Sequence, residues 1–434
     1  MPSDSERDGT GSSTQPPADL SASLPGDMIA QQPEDSLRAL FSNRSFVALF
    51  IGQTMSQAGD QFVLIAALYL INQMLDSELA IAGIALALSL PRLPFGLLAG
   101  VVVDRWNRKT LMIASDLLRA LIVLAPLLIR RPDQIWILYV AGVLLGILTT
   151  FFEPARNAVI PNIVPQEHLF MANSVIQATF IVGTVVGAAA AGFAVDAFSP
   201  YYAFIFDSAT FLFSAIAIGA MTIPRRPVKR HQATVNEIWR ELREGIQFIR
   251  NNPLLPRIMG VTAVAALGLS AIMILGVDYL DELGVGAGGF GVVVAAIGIG
   301  VAVGGTAVRW LIQQLSIPVL VGGCLGLVGL AIMGFTLVPH YSTVVVGAVL
   351  VGMGVVIARA GLATMTQKLT PDYIRGRVES AVNMIIGISN VGSQGVSGVV
   401  GQLLSAPVVF LCAGAITALA GVVAVLTLRN QDPS

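Results

Sequence analysis

Charged residues are scarce in this chain: Asp, Glu, Lys and Arg together make up 12% of its 434 residues. Ordinary soluble domains carry about 25% charged residues. Hydrophobic residues make up 55% of the chain, and its mean hydropathy is +0.78. This composition excludes a typical soluble domain and predicts an integral membrane protein whose main surroundings are the lipid bilayer.

Cysteine and histidine are also rare, with two and three copies. Cys324 and Cys412 both lie in apolar runs, which is typical of small core residues and not of a disulfide or a metal pair. The three histidines (His168, His231 and His340) are scattered and have no metal-ligand spacing. We therefore expect neither a metal site nor a cofactor.

Sequence motifs for ATP hydrolysis, enzyme catalysis and signal cleavage are missing. No Gly-x4-Gly-Lys-Ser/Thr occurs, so we do not expect an ATP-driven engine in this chain. No nucleophile–base constellation occurs in the apolar runs, so we do not expect an enzyme. Residues 1–36 have no apolar core, which predicts a disordered tail and not a cleavable signal. The expected partner is a small-molecule substrate, with no nucleic acid, and the protein is expected to function as a monomer.

Long apolar runs dominate what is present. Each of twelve runs is long enough to cross a hydrocarbon core of roughly 30 Å. The predicted spans are 46–73, 79–102, 110–130, 134–153, 169–195, 201–222, 257–280, 288–308, 317–338, 342–367, 379–404 and 406–428. The predicted fold class is therefore an all-α integral membrane protein.

The longest break between spans is 223–256, and it separates two groups of six. Its second part has apolar residues at helical spacing, which favours an amphipathic helix on the membrane surface, although a plain linker between two halves fits as well. The predicted division is a mostly disordered tail 1–45, a first half 46–222, a central loop 223–256, a second half 257–428 and a tail 429–434.

A compact charge cluster separates the second and third spans, and it reads Gly100-Val-Val-Val-Asp104-Arg105-Trp-Asn107-Arg108-Lys109. Three cations in five residues cannot lie in lipid, so this segment is predicted to be a tight aqueous turn. Most other Lys and Arg residues fall in loops on the same side, while Arg130 and Arg131 are alone on the other. Because cations concentrate in cytoplasmic loops, both termini are predicted to be cytoplasmic.

The charge cluster resembles the signature loop between the second and third helices of the major facilitator superfamily. Asn107 stands where that loop usually has a second glycine, and Asn tolerates the left-handed backbone that a tight turn needs. The resemblance implies twelve helices in two six-helix halves, with the substrate site at the midplane between them.

The resemblance also implies a conformational clamp at the loop. Asp104 would contact the start of the eleventh span near Arg375 and Arg377, and Arg108 would reach Glu153 at the end of the fourth span. Such contacts would form when the cytoplasmic side is closed. The predicted clamp consists of Gly100, Asp104, Arg105, Arg108, Lys109, Glu153, Arg375 and Arg377.

Further motifs are similar to the bacterial exporter branch that contains macrolide-efflux proteins and enterobactin exporters. They touch most of the chain, and include Gln53-x-x-Ser56-x-x-Gly59-Asp60, Asp116-x-x-Arg119, Pro154-Ala-Arg-Asn-Ala158, Asp207-Ser-Ala-Thr-Phe211 and Arg375-Gly-Arg-Val378. One departure is Ala188 after the Gly183-x3-Gly187 pair, where antiporter motifs often have proline. The branch implies an efflux protein of a bacterial-type cytoplasmic membrane.

Gln53, Gln57 and Asp60 follow one another at i, i+4 and i+7, so they form one polar stripe on the first span. Asp60 lies about 14 residues into that span, or about 21 Å at 1.5 Å per residue. One interpretation places this stripe in the transport cavity, with Asp60 binding a proton or a cationic substrate. The alternative is a structural ion pair between Asp60 and Arg92 of the next span.

Other charges lie inside predicted spans, where a charge usually faces a cavity or a partner. Arg92 lies between Pro91 and Pro94, where we expect a kink, and either pairs with Asp60 or attracts an anionic substrate. Arg359 has no obvious local acid and is a candidate for contact with an anion.

Two further acids lie in spans of the first half. Asp116 and Arg119 are one helical turn apart and are expected to form an intramembrane ion pair. Asp207 is expected to cap or bridge helices or to take part in transport.

The preferred function is secondary export of an amphiphilic small molecule, such as a drug, macrolide or siderophore, coupled to the proton gradient and working as an antiporter. Within transport, the alternatives are a nutrient importer or a lysophospholipid flippase. A non-transporting membrane receptor would need a substantial signalling domain, and the tail and the central loop are small.

Overall fold

The computed structural model of this protein describes residues 33–75, 77–223 and 235–428. These residues form helices and turns without any strand. Fifteen α-helices follow one another along these ranges. They are α1 Pro33–Ser42, α2 Arg44–Leu75, α3 Glu78–Ser89, α4 Arg92–Arg105, α5 Arg108–Ile122, α6 Trp136–Ile163, α7 Leu169–Ala197, α8 Pro200–Ala220, α9 Val235–Asn251, α10 Leu255–Glu282, α11 Ala287–Gln314, α12 Ile317–Leu337, α13 Tyr341–Lys368, α14 Arg375–Leu403 and α15 Ala406–Leu428.

Eleven helical segments in these ranges are long and apolar enough to cross a membrane, and they match eleven of the twelve predicted spans. The other predicted span, 379–404, is the 29-residue helix α14. This helix is long enough, but polar side chains such as Asn383, Asn390 and Gln394 lower its hydropathy. The all-α membrane fold is thus confirmed, and α14 with its polar side chains lies beside a cavity described below.

Proline residues mark the breaks in two spans. The second span consists of α3 and α4, which are separated by a turn at Leu90 and Pro91, so the expected kink is a break. After α5, the chain continues as a short 3-10 helix that contains Pro126. Proline removes a backbone donor and clashes with the preceding turn, which explains both changes of direction.

Two boundaries differ from the sequence prediction. The fourth span was predicted to end at 153, but α6 runs on to Ile163 and contains both Pro154 and Pro161. Arg156, which the sequence suggested as a loop residue, is therefore part of a long helix. At the N-terminus, α1 begins at Pro33 inside the segment predicted to be disordered. Residues 1–32 of that predicted tail lie outside the described residues.

The helices pack in two sets. In the first set, α2 packs against α7 and α8, and α5 packs against α6 and α8. In the second, α12 packs against α13 and α15, and α10 packs against α14 and α15. Two seams join the sets, one between α3 and α14 and the other between α7 and α11.

The apolar core is arranged differently at the two ends of the bundle. We call the end that carries the 100–109 loop the motif end, and the other the distal end. At the distal end, one cluster of buried residues includes members of both sets, for example Ile71, Val195, Leu280 and Phe290. At the motif end, the cores of the two sets are separate clusters. The apolar cores of the two sets are therefore joined at the distal end and separate at the motif end, where α4 still contacts α9.

The amphipathic helix predicted in the central loop is α9, and it packs on α14. Leu242 and Ile249 are buried, and Gly245 lies so close to α14 that a Cβ there would clash with the Arg377 carbonyl oxygen. Glu244 accepts a hydrogen bond from the Arg377 guanidinium. This helix is thus fastened to one membrane helix, while Trp239 and Ile246 of its apolar face stay exposed.

Candidate functional site

Hydrogen bonds between the two sets of helices close the distal end. Asp196, near the end of α7, accepts hydrogen bonds from the backbone N–H groups of Ala287 (2.8 Å) and Gly288 (2.5 Å) at the start of α11. Asn72 donates to Asp281 across α2 and α10 at 2.9 Å. A third pair, Gln402 and Ser77, joins α14 to the segment before α3 at 3.0 Å. We call these three contacts the distal gate.

Glycines let α7 and α11 approach each other closely beside this gate. A Cβ on Gly291 would clash with the carbonyl oxygen of Ala188, and one on Gly192 would clash with that of Ala287. Small residues at such positions allow the backbones of membrane helices to come together. Gly192 of α7 therefore has a specific partner, which is the start of α11, whereas Gly183 and Gly187 lie against α2.

Two side chains, those of Asn107 and Lys109, hold the loop at the motif end. The Asn107 side chain accepts hydrogen bonds from the N–H groups of Lys109 (3.0 Å) and Thr110 (3.3 Å) and so caps α5. Its φ is −68°, so the suggested left-handed conformation at this position is wrong. Asn serves here because its amide oxygen satisfies the free donors of a helix start. Lys109 donates to the carbonyls of Gly219 and Met221 at the end of α8.

The predicted clamp contact between Arg108 and Glu153 is not formed in this conformation. Glu153 pairs with Arg92 at 3.9 Å, so neither the predicted Arg108–Glu153 contact nor the alternative Asp60–Arg92 pair is formed. Arg108 instead donates to the Ala158 carbonyl at 3.1 Å, because α6 continues past Glu153 and brings that carbonyl within reach.

The other members of the predicted clamp lie apart. Arg375 pairs with Asp372, Arg377 pairs with Glu241 and Glu244 of α9, and Arg105 is exposed. The side chains of Gly100 and Asp104 lie outside what the structure describes. The predicted contact of Asp104 with the start of the eleventh span, and with it a clamp that closes this end, stays a prediction.

A buried ion pair lies in the core of the first set. Asp116 and Arg119 are one turn apart on α5, are 0% and 4% exposed, and are in direct contact. The Arg119 guanidinium stacks on Phe152 of α6 at 4.2 Å and on Phe211 of α8 at 4.7 Å. A guanidinium held by a carboxylate and two rings is a packed structural group, which fits the expected ion pair.

Two more carboxyl groups share this region. Asp207 is 1% exposed and lies against the backbone of Gly59, where a Cβ would clash with its Oδ1. The Thr210 hydroxyl lies 3.0 Å from the same oxygen and donates to it or to the Asp207 carbonyl. Asp60 is part-buried and interacts electrostatically with Arg119, Asp116, Glu153, Arg92 and Asp207. It has no hydrogen-bond or ion-pair partner among the residues that the structure describes.

The polar stripe on α2 continues from Asp60 toward the motif end and lines a pocket of about 260 Å³ between α2, α6 and α7. Gln53 is 3% exposed, and its Oε1 accepts a hydrogen bond from Arg156 at 3.3 Å. Gln57 also lines this pocket. Sequence reasoning did not select Arg156 as a site residue. Its place in the Pro154–Ala158 motif could have pointed to it, but this motif follows the predicted end of the fourth span and was expected to lie in a loop.

A larger cavity, of about 350 Å³, lies at the motif end of the second set. Its lining is mostly apolar, with Ile258, Met259 and Leu362 among the contributing side chains. Arg359 and several polar residues of α14, including Asn383 and Asn390, complete it. Arg359 is exposed and has no ion-pair partner in the described ranges. Its expected contact with an anion stays a prediction.

The two halves are thus joined at one end, while each half carries a cavity near the other. A profile of the Major Facilitator Superfamily matches residues 49–392 and, in a second match, 258–434. The chain belongs to the Major Facilitator Superfamily. As a member, it is a multi-pass membrane protein.

Curated relatives of this transporter include exporters. It is 26% identical over 370 residues to BacE of Bacillus subtilis, a proposed bacilysin exporter, covering 83% of this chain and 89% of BacE. Macrolide efflux protein A of Streptococcus pyogenes is 25% identical over 237 residues. That match spans 54% of this chain and 55% of the efflux protein. Another relative is YfiS of Bacillus subtilis, an uncharacterized MFS-type transporter that is 29% identical over 223 residues. That match spans 50% of this chain and about half of YfiS (52%).

Solved structures share the fold at low identity. The nucleoside transporter NupG superposes with a TM-score of 0.75 at 10% identity, covering 88% of this chain and 99% of NupG. A POT family transporter in complex with a thioalcohol-conjugated peptide gives a TM-score of 0.69 at 10% identity, covering 89% and 96%. These likenesses concern the fold and say nothing of the substrate.

Proposed function

We propose that this transporter is a secondary active exporter of amphiphilic small molecules that works by alternating access and is driven by the proton gradient. The observation that carries the proposal is the asymmetry between the two ends. The distal gate is hydrogen-bonded and glycine-packed, whereas the cores at the motif end are separate. Such a protein changes state by opening one end and closing the other about a site between its halves.

The loop charges support the same direction of transport. If the motif end is cytoplasmic, as the Lys and Arg asymmetry predicts, this conformation is ready to receive a molecule from the cytoplasm. The matches to BacE and to macrolide efflux protein A also favour export. The protein would then lie in a bacterial-type cytoplasmic membrane with both termini in the cytoplasm.

The cavity in the second half suits an amphiphile. Ligand sites are mostly apolar and carry a few polar groups that orient the ligand. Here the apolar side chains of Met259 and Leu362 share one cavity with Arg359 and Asn383. A molecule with an apolar body and a polar group would satisfy both kinds of surface.

Asp60 is the best candidate for the proton site. Three carboxyl groups, Asp60, Asp116 and Asp207, interact with the guanidinium of Arg119, while Arg92, which also acts on Asp60, is paired with Glu153. A proton on one of the three therefore removes surplus negative charge. Asp116 is held by Arg119 and Asp207 is buried against Gly59. Asp60 alone of the three is part-exposed and lacks a hydrogen-bond partner in the described ranges, so it can exchange a proton during transport.

Transport into everted membrane vesicles tests the proposal. Vesicles from cells that make the protein and from vector controls would be energised by respiration and given radiolabelled fusidate, erythromycin or ethidium. We expect at least one probe to accumulate in a way that requires the protein. A protonophore, which collapses both the pH gradient and the membrane potential, should abolish this accumulation. Equal uptake by both kinds of vesicle for every amphiphile, or uptake that persists in the protonophore, would contradict proton-coupled export.

A further inference from the structure

The pocket between α2, α6 and α7 has an unusual set of polar groups. Five amide side chains and one guanidinium line it, and no carboxylate does. The amides are Gln53, Gln57, Asn157, Asn173 and Gln177, and the guanidinium is that of Arg156. Ile160, Ile176 and Phe180 form an apolar wall beside them. Its volume of about 260 Å³ lies below the usual range of drug-sized sites, so it can hold only one end of such a ligand.

Arg156 has no carboxylate partner among the described residues. Glu153 acts on it electrostatically, but that carboxylate is paired with Arg92. Neutral amides hold the guanidinium instead: Asn157 Oδ1 accepts from Nε and Nη2 at 3.2 Å, and Gln53 Oε1 accepts from Nη1. Arginine has five N–H donors, so two of them remain without a partner in these contacts.

Gln53 serves as a positioning residue for this guanidinium. Its amide oxygen is used on Arg156, while its buried Nε2 has no partner among the described residues. Leaving a buried donor unpaired is unfavourable. Because Gln53 is a neutral amide, it holds the Arg156 guanidinium in place and leaves its positive charge uncompensated. A carboxylate at this position would have neutralised that charge.

We propose that this pocket binds the carboxylate end of an amphiphilic substrate, with Arg156 as its counter-charge and the Ile160–Phe180 wall against the adjoining apolar part. The planar guanidinium fork matches a carboxylate. One unpaired cation matches a monoanion better than a phosphate monoester, whose charge is about −1.5 to −2 at neutral pH. The inference rests on the proposed function only in treating this pocket as part of the transport path.

Equilibrium binding to the purified full-length protein in detergent tests the inference without any ion gradient. The probes share one ring system and differ in the polar group: radiolabelled naphthoate, with methyl naphthoate, naphthylmethylamine and naphthyl phosphate as competitors. We expect saturable naphthoate binding. Unlabelled naphthoate should compete at least about tenfold better than the ester or the amine, because only the carboxylate pairs with Arg156. Equal competition by the ester, or stronger competition by the phosphate, would overturn the assignment to a carboxylate.

Three variants identify the group responsible. R156Q should weaken naphthoate binding about tenfold or more, and R156K should restore part of it because the charge returns without the fork. Q53E is nearly isosteric and supplies an internal carboxylate to Arg156, so it should also abolish the preference for naphthoate over the ester. R131Q removes an exposed arginine at the distal end, 71% exposed, and should bind as the wild type does.

Each variant is first checked for a monodisperse elution profile, so that a loss of binding is not a loss of fold. Wild-type affinity in both R156Q and Q53E would refute the inference. Because no gradient is used, carboxylate binding by a protein that fails to export in vesicles would leave the inference standing and overturn the proposed function. Proton-driven export of ethidium without naphthoate binding would do the reverse.

Discussion

Asp196 at the end of α7 accepts hydrogen bonds from the N–H groups of Ala287 and Gly288, the first two residues of α11. The start of a helix offers free donors and partial positive charge, both of which favour a carboxylate. Here the helix and the carboxylate come from different halves of the transporter. The same contact therefore satisfies the helix end and closes the distal gate.

We expect D196N to open the distal gate more often. The neutral amide loses the charge-dependent part of the cap, worth about 1 kcal/mol, which shifts a two-state population by about fivefold. The measurement is the spin-label distance between Arg131→Cys and His340→Cys, one exposed position on each half, after Cys324 and Cys412 are replaced by alanine. E167Q, which removes an exposed carboxylate at the motif end, is the control. A distance distribution in D196N equal to that of the control would show that Asp196 does not hold the gate.

The glycine seam predicts a difference between two glycines of one helix. G291A places a methyl group against the Ala188 carbonyl, so it should push α7 and α11 apart and populate the longer distance between the same labels. G305A, on the same helix, meets nothing within 4 Å and should behave as the wild type or be slightly more stable. Identical distributions in both variants would mean that close packing at Gly291 is not needed for closure.

Asp116 should matter for stability. D116N leaves the buried Arg119 guanidinium without its counter-charge, and removing one partner of a buried pair typically costs about 3–5 kcal/mol. We expect a clear fall in the midpoint of thermal unfolding in detergent. D116N combined with R119Q should recover part of the loss, because the unpaired charge is then gone. An unchanged midpoint in D116N would mean that the pair adds nothing to stability.

The orientation of the chain is tested with reporter fusions. Because only Arg130 and Arg131 lie in loops at the distal end, a reporter inserted at Asp133 should be outside and one placed after Arg429 should be inside. Alkaline phosphatase is active outside the cytoplasm and green fluorescent protein fluoresces inside it, so the two reporters check each other. Both fusions reporting one compartment would contradict the predicted arrangement of spans.

The sequence predicted the helices well because long apolar runs and loop cations are local signals. The Asp116–Arg119 contact was within reach for the same reason, since the two residues are three apart on one helix. The contacts of Asp196 and Arg156 could not be predicted in this way. The partner of Asp196 lies in the other half, 91 residues away for Ala287. Arg156 was read as a loop residue because Pro154 and Pro161 usually end a helix, yet α6 continues through both.

The motif loop shows a second limit. The family resemblance implied a contact between Arg108 and Glu153, but the extra turns of α6 bring the Ala158 carbonyl to Arg108, and Glu153 pairs with Arg92. Asn107 illustrates the same point at one residue. Glycine is usual at this position, which suggested a left-handed backbone. In the structure, the Asn107 side chain caps α5 instead, and its backbone angles are ordinary.

The substitution D60N tests most directly whether Asp60 couples transport to the proton gradient. Asn keeps the shape of the side chain but cannot bind and release a proton. Proteoliposomes would be loaded with fusidate, or with whichever probe the vesicles accumulate, and assayed in two ways: exchange without a gradient, and accumulation driven by an imposed pH gradient. We predict that D60N retains exchange and loses gradient-driven accumulation, whereas the wild type performs both. Gradient-driven accumulation at the wild-type level in D60N would contradict the assignment of proton coupling to this residue.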